Sequence, residues 1–243
     1  MHKAMLGFTV ALVIIGVVTI TQAQVSGFSI HKASITLAQA YANPASPQAM
    51  KKTTTVERTI SPAPPDETEK HFRNARESFL KKDARAAAAE IRKGAVLLEL
   101  EAGHAKGKVK EALAASSHEL QKLAQGVENG TVTSTQDLRR AFARADRALA
   151  EQHYQSAAES WSKKEIKKAG RELKAAANHV ELAVAWADHR LDSTTAAVIK
   201  DARAVAAKLS EKAGWTKDEV VKGMHGVGNE IEKLGKQIEP AKT

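Results

Sequence analysis

Between Asp66 and Glu239 the chain runs for 174 residues without a proline, and this constrains the fold more than any other feature of the sequence. Five of the six prolines crowd into Pro44, Pro47, Pro62, Pro64 and Pro65, and the sixth is Pro240. Proline inside a helix costs about 3 kcal/mol. Ordinary chains carry it at about 5%, so a helix-poor domain of this length would hold several. A long, alanine-rich, proline-free stretch predicts an all-α domain. The absence of cysteine excludes a disulfide framework, thiolate metal sites, a cysteine nucleophile and a lipid anchor on an N-terminal cysteine.

Apolar residues recur at helical spacing through this region. Val109, Leu113, Ser116, Leu120, Leu123 and Val127 step by four and three, as do Val220, Met224, Val227, Ile231, Leu234 and Ile238. Such narrow stripes must be buried against other helices. The pattern predicts helices near 67–81, 84–104, 108–128, 135–161, 165–190, 193–213 and 217–237, packed as an antiparallel bundle of about seven. Thr216 with Glu219 forms a capping box, and Asp83, Ser134 and Ser162 are further candidate starts. Trp215 is placed to pack on Val220 as a hydrophobic staple.

The chain also resembles itself at an offset of 82. His71–Ala105 laid without gaps on His153–Ala187 gives 12 identities in 35, among them His71/His153, Lys81/Lys163, Lys82/Lys164, Glu90/Glu172 and Leu100/Leu182. The register carries on to Leu123/Val205 and Leu149/Ile231. Duplication of a helical unit is the simplest cause. It predicts a bundle domain over 66–239, with units of roughly 71–150 and 153–232. The fourth helix belongs to both. Its apolar stripe changes phase between Leu149 and Tyr154, which predicts a kink or short break near Gln152.

The N-terminus reads as an address. Lys3 precedes the apolar run Ala4–Ile20, and small residues at Thr21 and Ala23 suggest a signal segment over 1–23. Cleavage sites around 40–42 and an uncleaved membrane anchor are the alternatives. Residues 43–65, rich in Pro, Thr and Lys, read as a disordered linker. The expected location is periplasmic or secreted, or N-terminally anchored with the domain outside the cytoplasm.

Charge excludes less than it first suggests. Residues 1–65 hold five lysines and arginines against Glu57, and Lys242 lies in the tail. Subtracting +4 and +1 from the whole-chain +9 therefore leaves +4 for the helical region. With acids and bases interleaved and aromatics at 4%, no nucleic-acid surface is expected. The paired lysines Lys81, Lys82, Lys163 and Lys164 form two basic corners that suit weak contact with an anionic envelope surface. A protein partner or self-association is expected.

Candidate chemistry rests on histidine. Glu101-x-x-His104 occurs once, and its counterparts 82 residues on are Ala183 and Trp186, so half of a carboxylate-bridged metal site is missing. His71 and His153 occupy matching positions and could approach each other across a twofold. Glu172 and His179 stand seven residues apart, two turns along one helix face. No catalytic residue, metal or cofactor is assigned; His71, His153, Glu172 and His179 are the polar candidates, and a histidine that answers acid is one use for them. Gly223, Gly226 and Gly228 have the wrong spacing for a dinucleotide loop and suit close helix contact.

The stretches Ala75–Leu100 and Ala157–Leu182, each a short helix, a charged turn and an alanine-rich second helix, resemble the YfdX-like exported all-α proteins of bacteria. Lys81–Asp83 departs from that pattern, where a glycine turn would be usual. The resemblance implies a periplasmic helical protein linked to stress tolerance, with no catalysis and no functional residue to carry over. The expectation is a non-enzymatic envelope protein acting as an interaction or stress-associated module; the alternative is a metal- or cofactor-binding bundle using histidines.

Overall fold

The computed structural model describes residues 65–188 and 191–238. The signal segment and most of the linker lie outside the described residues. Seven helices make up the described residues, with no strand among them: α1 (Pro65–Leu80), α2 (Ala84–His104), α3 (Gly107–Glu128), α4 (Thr135–Ser162), α5 (Ile166–Trp186), α6 (Ser193–Glu211) and α7 (Lys217–Ile238). α1 begins at Pro65, so the last residue of the expected linker belongs to the bundle. Proline suits a first helical position because its missing N–H would have had no partner there.

Local chemistry sets most ends. The Asp83 carboxylate accepts from Ala86 N at 2.9 Å and starts α2, and Ser134 accepts from Gln136 N at 3.1 Å to start α4. At α7 the capping box forms in both directions: Glu219 N donates to Thr216 Oγ1 and Thr216 N donates to the Glu219 carboxylate. Ser162 does not cap α5. Its hydroxyl donates back to Glu159 O as the last residue of α4. α5 stops at Trp186, four residues short of the periodic reading, where Asp188 takes a left-handed φ of +62°. Ala187 N donates to Ala183 O at 2.9 Å and Asp188 N to Ala185 O at 3.4 Å, closing the helix, and Arg139 of α4 adds hydrogen bonds to the carbonyls of Ala185 and Trp186.

Boundaries and hydrogen bonds recur at a spacing of 82. α2 and α5 coincide end to end in this register, α1 ends where α4 ends, and α4 starts where α7 starts. Both turns, Lys81–Asp83 and Lys163–Glu165, carry the same bonds: Lys82 N to Phe79 O beside Lys164 N to Trp161 O, and Asp83 N to Ser78 O beside Glu165 N to Ser160 O. Lys82 and Lys164 sit at φ +62° and +61°, where glycine is the usual residue because a Cβ is strained. Lys82→Gly and Lys164→Gly are each expected to stabilise the fold by about 1 kcal/mol, read as a higher thermal midpoint. A fall in midpoint for both would show that the lysine side chains hold these turns by other means.

Two buried clusters hold the helices. The first joins α1, α2, α3 and the first half of α4, with Phe72, Ile91, Leu98, Leu113, Leu120, Leu138 and Phe142 fully buried. The second joins the rest of α4 to α5, α6 and α7 around Leu173, Val180, Leu209, Val220 and Leu234. α4 runs unbroken through Gln152, against the expected break. The change of stripe is real, but it marks the passage of one helix from one core to the other. Residues 141–150 are buried on almost every side except at Arg144 and Arg147, and no glycine or proline interrupts the turns.

Small side chains let the backbones approach. Ala143, Ala145, Ala150, Ala157, Ala169, Ala176 and Ala177 are fully buried. A Cβ at Gly170 would lie 2.8 Å from Ala206 O, so α5 and α6 touch backbone to backbone there. The α7 glycines act likewise: Gly228 faces the Tyr154 ring, while Gly223 and Gly226 face Val205 and Val198.

Candidate functional site

The most extensively packed pair of helices, α4 and α5, encloses a polar centre. Asp146 and His153 lie two turns apart on α4, and Glu172 and His179 lie two turns apart on α5. Seven residues bring a side chain back to the same helix face, so each helix presents one acid and one imidazole to the other. The His179 Nδ1 stands 2.8 Å from Asp146 Oδ1, and the His153 Nδ1 stands 2.8 Å from Glu172 Oε2. The two imidazoles stack parallel, with ring centroids 5.4 Å apart and 3° between the planes.

This centre is sealed. Asp146 and His179 are 0% and 1% exposed, and His153 and Glu172 are also buried. Asp146 Oδ2 has no hydrogen-bond partner. Burial pushes the Asp146 carboxyl well above the usual carboxylate range, and the nearby Glu69 of α1 adds to the rise. Burial, with the neighbouring His153, brings His179 down to about 3. Both shifts favour uncharged forms, so the Asp146–His179 pair holds one proton between its two members and carries no net charge. Glu69 itself accepts from Trp186 Nε1 at 3.1 Å, tying the end of α5 to α1.

Three of the four residues were visible in the sequence as separate candidates, and the fold brings them together. His71 goes elsewhere. Its Nδ1 lies 2.6 Å from Glu90 Oε2 on α2, at the same separation of 19 residues as His153 from Glu172. The expected approach of His71 to His153 is replaced by two equivalent histidine–glutamate pairs, one per hairpin. Although burial opposes it, hydrogen bonds from Lys93, His71 and Asn74 hold the Glu90 carboxyl below its ordinary range. Residues 82 before Asp146 and His179 are Pro64 and Leu97, so the first hairpin has no second pair.

Asp146 escaped sequence reading because it flanks an apolar stripe without joining it. Its signal was present all the same: a lone acid in the alanine-rich run Ala141–Ala150, seven residues before His153, mirrors the spacing of Glu172 and His179. Glu101 and His104 do not meet as a ligand pair; the first is buried and the second exposed at the end of α2. Among the described residues no group of three histidine or acidic side chains is arranged to hold a metal ion. The basic corners are exposed, and Lys163 is paired with Glu159 at 2.7 Å.

No helix of the described residues is long and apolar enough to cross a membrane. No family model, curated protein or solved structure matches the chain. The class that the fold itself defines is an all-α helical bundle with an occluded histidine–carboxylate centre.

Proposed function

We propose that this is an exported, non-enzymatic helical module of the cell envelope, periplasmic or secreted, which works through its surfaces and keeps its fold through acid stress. One observation carries the reading. The residues best suited to chemistry are locked inside the α4–α5 interface, where a substrate has no access, and Asp146 is spent on His179 at 2.8 Å. A catalytic acid or base needs the opposite arrangement, an open pocket within hydrogen-bond reach of a reacting atom. The apolar N-terminal run supports export, and the YfdX-like hairpins point to the same compartment and to stress tolerance.

The reading includes a duplicated architecture, two antiparallel units sharing α4. It is supported by helix ends, turn hydrogen bonds and histidine–glutamate pairs that repeat at 82 residues. Hydrogen-bonded partners rise along α4 as they fall along α5, from 146 with 179 to 153 with 172, which is the register of an antiparallel pair.

Cell fractionation with N-terminal sequencing of the mature chain tests export, and survival of a gene-deletion strain in mild acid tests the role. The full chain is expected in the envelope fraction, and restoring it should rescue growth in acid. Cytoplasmic protein, or a deletion strain indifferent to acid, would overturn the proposal.

A further inference from the structure

We infer that the groove between α6 and α7 seats a second copy of this chain, the two α6–α7 faces closing into a four-helix bundle. The groove has a volume of about 480 Å³; its floor is Val198 and Val205 of α6 with Gly223 and Gly226 of α7, and Ala204 lies at its exposed edge. The floor is largely apolar, and it lies deep because α7 seats closely on α6: a Cβ at Gly226 would stand 3.0 Å from Val198 Cγ1.

The matching face 82 residues earlier shows what such a surface accepts. There Ala143, the counterpart of His225, is fully buried, whereas His225 is exposed. Arg144 stands where α7 has Gly226; its Nε donates to Glu119 at 2.9 Å and its Nη1 to Ile238 O at 3.4 Å. Arg147, the counterpart of Asn229, donates to Ile231 O and packs against Gly235. The C-terminal half of α7 thus covers the α4 face. No helix of the described residues plays that part for α6 and α7.

Charge selects the occupant. Asp201 is the counterpart of Glu119, but with glycine at 226 it has no arginine to meet. Neither Asp201 nor Lys222 has an ion-pair partner among the described residues, while Lys208 and Glu219 bridge the groove at 3.0 Å. A rim of one sign would call for a partner of the other sign. This rim carries an acid and a base on each helix, which is self-complementary. A twofold axis sets Asp201 of one molecule against Lys222 of the other, and the reverse pair with it.

Sedimentation of the purified mature chain across a wide concentration range tests this, with circular dichroism to confirm that each variant is folded. The expected species is a dimer. Asp201→Lys and Lys222→Asp, both at exposed positions, should each weaken it at least tenfold, because symmetry converts two attractive contacts at once. The double charge swap should restore it. Ala204→Arg, which fills the groove from its exposed edge, should give a monomer. A wild-type chain that stays monomeric throughout, whether or not it binds a helix of another protein or a small amphiphile, overturns the inference. So does a dimer indifferent to Ala204→Arg, or a double swap as weak as the single variants.

Discussion

Asp146→Asn is expected to raise the onset of acid unfolding from below about pH 4 to below about pH 6.5. The sign follows from counting protons. In the unfolded chain His179 takes up a proton below about 6.5 and Asp146 below about 3.9. In the folded protein His179 is held down at about 3, so taken alone it makes stability fall as pH drops from 6.5 toward 3. Asp146 is shifted the other way. Its folded carboxyl keeps a proton that the unfolded one has lost, so taken alone it adds stability as pH falls toward 3.9.

Between about pH 4 and 6.5 the raised Asp146 and the lowered His179 act in opposite directions, and each offsets the other. Below that window the unfolded pair holds two protons and the folded pair one, and stability falls by about 1.4 kcal/mol per pH unit. Asparagine removes the compensating carboxyl but leaves the burial and the neighbouring His153 that hold His179 down. At pH 4.5 the variant should therefore have lost about 3 kcal/mol relative to neutral pH beyond any loss in the wild type. Urea unfolding at a series of pH values measures this. Adding His179→Gln to Asp146→Asn should flatten the profile again, and parallel profiles for Asp146→Asn and wild type would refute the shared-proton account.

Phe142→Ala should cause the largest loss of stability in the bundle. Phe142 is fully buried on α4, stacked on Phe72 of α1 at 4.3 Å and 9°, with the Trp186 ring edge-on at 5.1 Å and 73°. Three helices meet at this one ring. Truncating a buried phenylalanine costs about 3–5 kcal/mol through lost transfer energy and the cavity left behind. For a domain of this size that is roughly 10 °C or more in midpoint. The near-ultraviolet signal of Trp186 should weaken with it, since its rigid neighbour is gone. A midpoint within about 3 °C of wild type would show that α1 and α5 close over the gap.

Much of this molecule was legible in advance because the relevant signals are local. Asp83, Ser134 and Thr216 act on N–H groups two or three residues away, so their roles follow from sequence alone. Ser162 shows the limit of that logic: a serine three residues before a glutamate can equally finish the preceding helix, and here it does. Trp215 shows another limit. It packs beside the second cluster as expected of a staple, yet its ring partner is Trp161 at 5.3 Å, from the end of a different helix.

Residue order alone predicts a helical domain over 66–239 and, roughly, where each helix begins and ends. Proline avoidance, 3.6-residue periodicity and caps all operate within a turn or two of backbone. Which polar groups meet is set by long-range packing. Asp146 finds His179 across 33 residues and His153 finds Glu172 across 19. Those meetings depend on how far each helix rotates about its own axis as alanine faces pack together. The same packing excludes water from the α4–α5 centre, moving the titration of Asp146 and His179, and leaves the α6–α7 face open where the α4 face is covered.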